Sequence, residues 1–261
     1  MAKLKLTFEE YIKSPAGKGA SMNPARDSTE AFYQTKYDAL VARDGLVKYK
    51  IYKTPTAYYI HFLIPSNSTK GFTYDTVVEL RQPEEGTGAI KNYHVRFYSN
   101  DPDFNFTHAH AYLTHGLIIP EFQGKLSILV KSMKAHTRNP DNTVGYVQSI
   151  YFAYLTMKKN NLFDKSVLDT NSVNGGLNKF ANDIKSYDKK EEEKKKFVQQ
   201  QKNEAKKPPE QRKELKPKII SSKFIGNGSP LHIPIVSKIT SSTRATGSAK
   251  RSKTTKTTKK I

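Results

Sequence analysis

The sequence predicts an α+β protein: a four-stranded, mainly antiparallel sheet with helices before and after it, then a charged helical segment and a disordered basic tail. Three observations carry this. Four runs between residues 46 and 99 are rich in aromatic and β-branched residues and are joined by short links. Segments on either side repeat apolar residues at helical spacing. Beyond residue 184 the aromatics nearly vanish and lysine accumulates.

Taken in order, Phe8–Ile12 reads as a short helix, followed by a Gly-rich joint at residues 14–19. Asp27 and Glu30 have the spacing of a capping box. Phe32, Tyr33, Tyr37, Leu40 and Val41 then form a helical stripe that ends at Asp44-Gly45. Leu46–Lys53 alternates, with Val47, Tyr49 and Ile51 on one face and Lys48, Lys50 and Tyr52 on the other. Ala57–Ile64, Tyr74–Arg81 and Asn92–Ser99 complete four strands, and their short links favour an antiparallel meander. Asp101-Pro102 marks a helix start, with Asp101 as cap and Pro102 at the first position. Pro120–Ala135 reads as a second helix, with Phe122, Leu126, Leu129, Val130 and Met133 on one stripe. A third runs from Asn142 or Thr143 to Asn160, with Val144, Val147, Ile150, Tyr151, Tyr154 and Leu155. A sheet with one face covered by helices is the expected layout.

The chain has 261 residues and a formal net charge of +20. Residues 185–261 hold 22 Lys+Arg against 7 Asp+Glu, a net of +15, so three quarters of the charge lies in the last 77 residues. This divides the chain into a folded body at 1–165, a linker at 166–184, a charged arm at 185–218 and a basic tail at 219–261. The arm is a candidate solvated helix supported by Glu191/Lys195 and Glu192/Lys196 and ended by Pro208-Pro209. Residues 238–261 contain eight Lys+Arg, eleven Ser+Thr and no acid, which is too little apolar surface to fold alone.

Composition excludes some chemistry. There is no cysteine, hence no disulfide scaffold, thiol nucleophile, Cys-ligated zinc or iron–sulfur cluster. No apolar run approaches the roughly 18 residues of a membrane span, and the first ten residues lack the apolar run of a signal peptide. No phosphate-loop, dinucleotide-binding, serine-elbow or zincin pattern is present. His108, His110 and His115 are the one histidine cluster, but i and i+2 positions of a helix face different sides, and seven residues span two turns. Asp101 and Asp103 are better read as a cap and a first-turn residue than as an acid–base or metal pair. No catalytic residue, metal ligand or cofactor is assigned.

Two sets of residues are left as candidate sites. The tail cations Arg244, Lys250, Arg251, Lys253, Lys256, Lys259 and Lys260 would bind polyanions in a sequence-blind, salt-sensitive way, or dock on an acidic protein surface. The strand aromatics Tyr58, Tyr59, Tyr93 and Tyr98 build a core or a subunit interface, and are assigned to the interface. With Lys48, Lys50, Lys53, Lys91 and Arg96 nearby, sheet tyrosines could instead stack bases, although no RNP-like pattern is present.

Three stretches carry a resemblance. They are residues 6–19 (LTFEEYIKSPAGKG), residues 95–104 (VRFYSNDPDF) with Ala109-His110-Ala111, and residues 145–155 (GYVQSIYFAYL). Together, over about residues 5–165, the chain resembles a family of tailed-bacteriophage virion structural proteins. The resemblance implies a non-enzymatic component of a capsid, head–tail connector or tail. It would be present in many copies or as a homo-oligomer, bound to other virion proteins, and located in the virion and, during assembly, the host cytoplasm. The basic arm would reach neighbouring subunits or packaged DNA. The alternatives are a cytoplasmic phage nucleic-acid-binding protein of replication or transcription that uses Tyr58, Tyr59 or Tyr98, and a metal-dependent nuclease using Asp101, Asp103 and a nearby histidine.

Overall fold

The structure is a computed structural model, which describes residues 5–13, 30–84, 88–128, 130, 139, 142–145, 147–170 and 176–207. All belong to one compact unit. The Gly-rich joint, Asp27, Leu129, Met133, Pro208, Pro209 and the whole basic tail lie outside these residues.

The chain enters through a capping box that the sequence reading overlooked. Thr7 Oγ1 accepts the Glu10 N–H at 3.2 Å, and Glu10 Oε2 accepts the Thr7 N–H at 2.8 Å. This starts α1 (Phe8–Lys13). Helix α2 (Glu30–Asp44) stops where Gly45 takes φ 85°, a left-handed value that glycine adopts without strain. Four strands follow: β1 (Lys48–Lys53), β2 (Ala57–Pro65), β3 (Thr73–Arg81) and β4 (His94–Ser99). They form an antiparallel sheet in the order β1-β2-β3-β4, the expected meander. A 3-10 turn, Ile90–Asn92, leads into β4. The outer edge of β4 is capped by two passing segments: Val95 N–H donates to the Leu6 carbonyl at 2.8 Å, and Phe97 N–H to the Leu117 carbonyl at 2.8 Å.

After β4, Asp101 Oδ1 accepts the Phe104 N–H at 3.1 Å, the expected cap. A π-helical stretch, Phe104–His108, runs into α3 (Ala109–His115), which ends on Gly116 at φ 72°. Where one helix was expected at Pro120–Ala135, a 3-10 helix, Pro120–Lys125, ends at extended Leu126, and helical backbone resumes at Ile128 and Val130; Leu129 and residues 131–135 lie outside the described residues. Ser127 N–H turns to Asn105 Oδ1 at 3.2 Å, which breaks the helical ladder. The strongest predicted helix also begins later, as α4 (Gln148–Lys159), with Val147 extended before it. Tyr11 donates its hydroxyl to the Gly145 carbonyl at 2.8 Å, and Tyr112 bonds the same carbonyl, which draws Val144, Gly145 and Val147 out of the helix.

Helix α4 packs on β2, β3 and β4 and against α2. On this first face Phe8 and Tyr11 pack on Phe97, and Tyr37 packs edge-on to Phe152. The second face of the sheet is covered as well, against expectation. Helix α5 (Gly176–Asp183) places Phe180 against Tyr52, Tyr59 and His61. Phe122 stacks on Tyr98 at 4.8 Å between centroids. Leu168, Phe180, Ala181 and Ile184 are all buried, so these parts of the span expected as a linker pack into the core. The arm expected to be solvated is α6 (Tyr187–Ala205), and its first turns lie on the same face. Phe197 closes a second small cluster with Phe72 and Tyr74.

Candidate functional site

Within β3 the run Tyr74-Asp75-Thr76-Val77-Val78-Glu79 sets two acids among strand residues. An acid at a core position needs a partner, because an unpaired buried charge is costly. Asp75 has several. His61 Nε2 lies 2.8 Å from Oδ1, Asn100 Nδ2 donates to Oδ2 at 2.8 Å, and Lys190 Nζ from α6 lies 3.3 Å from Oδ2. Asn100 Oδ1 accepts the Asp75 N–H at 2.8 Å, fixing the amide's orientation. Burial raises the Asp75 pKa, but the Lys190 charge and the His61 bond outweigh it and hold the carboxyl well below the usual carboxylate range.

The α5–α6 junction closes this network. The Lys185 carbonyl accepts from Tyr98 Oη at 2.9 Å and from Asn100 Nδ2 at 3.1 Å, and Lys125 Nζ bonds the Ile184 carbonyl. Lys185 and Lys190 both pair with Glu193, at 2.8 and 3.5 Å. Lys194 Nζ donates to Tyr74 Oη at 2.6 Å, and Tyr74 donates to Glu191. The ion pairs in the first turns of α6 thus run to the sheet and its own junction. Chemically the arrangement is a clamp. A His–Asp pair can orient a general base, but His61 sits beneath Phe180 and is only 8% exposed.

The residues singled out for catalysis do other work. Asp101 is buried. It caps the π-helical turn and accepts from Ser99 Oγ at 3.3 Å and from Ser149. Burial, with the Asp103 charge, pushes its pKa up to about 6 against the Ser149 hydrogen bond. Asp103 accepts from Thr107 Oγ1 at 3.0 Å, one turn on. His108 is buried beside Asn139 Nδ2 at 3.4 Å, and burial lowers its pKa. His110 Nδ1 lies 3.1 Å from the Val130 carbonyl, so the two histidines point apart. No cluster of metal-ligating side chains occurs among the described residues.

The four candidate interface tyrosines need correcting too. Tyr58, Tyr59, Tyr93 and Tyr98 are 3%, 2%, 4% and 0% exposed. Tyr59 and Tyr98 lie beneath α5 and the 3-10 helix, with Tyr59 donating to Glu79 Oε1 at 3.2 Å. Tyr58 and Tyr93 pack together at one end of the sheet, 6.2 Å between centroids. All four belong to the chain's own core. They looked free because α5, the element that covers the second face, follows an Asn-Gly-Gly breaker and has few apolar residues. His61, Asp75, Asn100 and Lys190 were missed. The signal that could have found them is an aspartate inside an apolar strand.

No family model, curated protein or solved structure matches the chain. No helix among the described residues is long and apolar enough to cross a membrane.

Proposed function

We propose that the chain is a non-enzymatic structural component of a tailed-phage virion, part of a capsid, head–tail connector or tail. It acts in many copies alongside other virion proteins, and its basic C-terminal arm contacts DNA or neighbouring subunits. The observation that carries this is where the charge lies. Residues 206–261 hold 15 Lys+Arg against 2 Asp+Glu, a net of +13, whereas α6 is almost balanced at 6 against 5. The body's own buried charges are committed to internal pairs such as Asp75–Lys190 and Glu79–Arg96. The excess charge therefore starts after α6, which moves the root of the arm from residue 185 to about residue 206. The resemblance over residues 5–165 supports placing the body in a particle.

Two measurements test the reading. Purified particles are analysed for the chain. DNA binding is compared at two salt concentrations between the full chain and a full-length variant with Arg244, Lys250, Arg251, Lys253, Lys256, Lys259 and Lys260 changed to Gln. Each phosphate that a cation no longer neutralises lowers the salt slope by roughly 0.7–0.9. The expected result is presence in particles and loss of most of the DNA affinity in the variant. A chain that stays monomeric and is absent from particles would overturn the proposal. Unchanged affinity in the variant would remove the tail from DNA contact.

A further inference from the structure

The near balance of charge along α6 hides a division. Residues 187–193 hold two Lys and four acids, whereas residues 194–207 hold six Lys and one acid, Glu204. The helix turns one row of side chains to the sheet. Lys190 pairs with Asp75, and Lys194 Nζ donates to Tyr74 Oη at 2.6 Å. Phe197 packs on Phe72 at 5.7 Å between centroids, and Gln201 Nε2 donates to the Lys70 carbonyl at 3.1 Å. Steps of four, three and four residues keep these anchors on one stripe.

The outward face follows from the same period. Lys195, Gln199, Lys202 and Lys206 form one row, and Lys196, Gln200 and Asn203 form the next; all seven are exposed. Glu204 lies off this face and pairs with Lys207 at 2.5 Å. Among the described residues, the ion pairs of α6 and its flanks use Lys185, Lys190 and Lys207. Lys195, Lys196, Lys202 and Lys206 take part in none of them.

The last three turns therefore hold cations and amides on an ordered face that has no acid. From Lys195 to Lys206 this face runs about 16 Å along the axis. Its anchors are in place before a partner arrives, which lowers the ordering cost of binding. Lysines neutralise phosphates, and Gln and Asn donate to phosphate oxygens. Surfaces for single strands rely on aromatic rings for stacking. Here the one aromatic of these turns, Phe197, is buried against the sheet. A duplex needs no such ring, and it presents one phosphate charge per roughly 1.7 Å of axis.

We infer that the outward face of α6 over residues 195–206 is a docking surface for the phosphate backbone of duplex DNA. It is an ordered contact that precedes the basic tail. The inference rests on the function proposed above for the presence of DNA, but it makes no use of the tail cations.

The test measures anisotropy of a labelled duplex of about 20 base pairs, roughly 68 Å long and so longer than the face. The full-length chain is compared with the full-length variant whose seven tail cations are changed to Gln. The variant should keep salt-sensitive binding. Adding Lys195→Gln, Lys196→Gln, Lys202→Gln and Lys206→Gln should weaken that binding at least tenfold and lower the salt slope by about 3. A charge-matched set, Lys91→Gln, Lys158→Gln, Lys159→Gln and Lys165→Gln, also at exposed positions, should leave it unchanged. Equal losses from the two sets overturn the inference. Gln200→Glu removes no cation and should weaken binding several-fold; no effect counts against the face. Because the chain has no cysteine, Gln200→Cys can carry a photo-crosslinker at a single place. It should capture the duplex, whereas Ala42→Cys, exposed on α2, should not; equal capture overturns the inference. A full-length chain that binds no duplex removes the DNA contact from the proposed function and this face with it. Binding that vanishes with the tail cations alone overturns only this inference. A single strand of the same sequence bound as tightly as the duplex refutes the choice of duplex. Displacement by polyglutamate as efficiently as by unlabelled duplex refutes DNA and makes the partner an acidic protein surface.

Discussion

Lys190 Nζ lies 3.3 Å from Asp75 Oδ2, with both side chains buried, and this pair joins the last described helix to the third strand of the sheet. The carboxylate also takes His61 and Asn100, so it is satisfied on both oxygens. Removing one partner of such a pair leaves an uncompensated buried charge. Lys190→Ala should therefore cost about 3–5 kcal/mol. Replacing both ends, as in Asp75→Asn with Lys190→Met, should recover most of that loss, because it abolishes the charge. Urea unfolding followed by circular dichroism measures both. A loss under about 1 kcal/mol in the single variant would mean that α6 is held by Phe197 and its neighbours alone.

A cut after Ile184, where composition alone would divide the chain, removes Lys190 and the Lys185 carbonyl that Tyr98 and Asn100 bond. Such a fragment should unfold at a lower urea concentration than one ending after Lys207, which keeps α6 whole. Phe180→Ala should likewise cost about 3–5 kcal/mol, since the ring fills the space between Tyr52, Tyr59 and Phe122. Equal stability of the two fragments would restore the boundary after Ile184.

The pH dependence of stability should have two opposed parts. The Asp75 carboxyl is held below its ordinary range, so its stabilising effect is present above about pH 4, the unfolded value, and is lost as pH falls through the folded pKa. Asp101 has the opposite sign. Its folded pKa is pushed up to about 6, so the folded state binds more protons than the unfolded chain between about pH 4 and 6. That contribution is full below about pH 4 and is lost as pH rises through 6, by about 2–3 kcal/mol. Asp101→Asn keeps an acceptor for the Phe104 N–H and cannot ionise. It should flatten stability between pH 4 and 6 while leaving the acid limb below pH 4. A wild-type curve already flat across pH 4–6 would contradict the raised Asp101 pKa.

The meander was legible because its strands alternate or run apolar for six to nine residues and are joined by short links. The Asp101 cap was legible from the Asp-Pro step. What could not be read was decided by long-range partners. Residues 144–147 have a helical pattern, but the Tyr11 and Tyr112 hydroxyls claim the Gly145 carbonyl. Leu126 sits on a helical stripe, but Asn105 takes the next amide. Helix α6 looks fully solvated because its attachment to the sheet is polar, through Lys190, Glu191 and Lys194, and a search for apolar stripes passes over it. The candidate site suffered most, since the same helix and α5 cover tyrosines that the strand pattern left open.

Tyr98 separates the two roles that the sequence offered for the sheet aromatics. In the structure its ring stacks on Phe122 at 4.8 Å and its hydroxyl donates to the Lys185 carbonyl at 2.9 Å. Burial, helped by the Asp75 and Asp188 charges, raises its pKa well above the ordinary phenol value, so the donor stays protonated at all working pH. Tyr98→Phe removes one hydrogen bond and should cost about 1 kcal/mol. Tyr98→Ala also empties a ring-sized volume between the sheet and the 3-10 helix and should cost about 3–5 kcal/mol. A core residue gives this graded loss of stability, with oligomeric state following only from unfolding. An interface residue gives the reverse: Tyr98→Ala would leave the urea midpoint of the isolated chain in place and reduce self-association. Urea unfolding paired with sedimentation at several protein concentrations distinguishes them, and the burial of Tyr98 at 0% exposure predicts the first pattern.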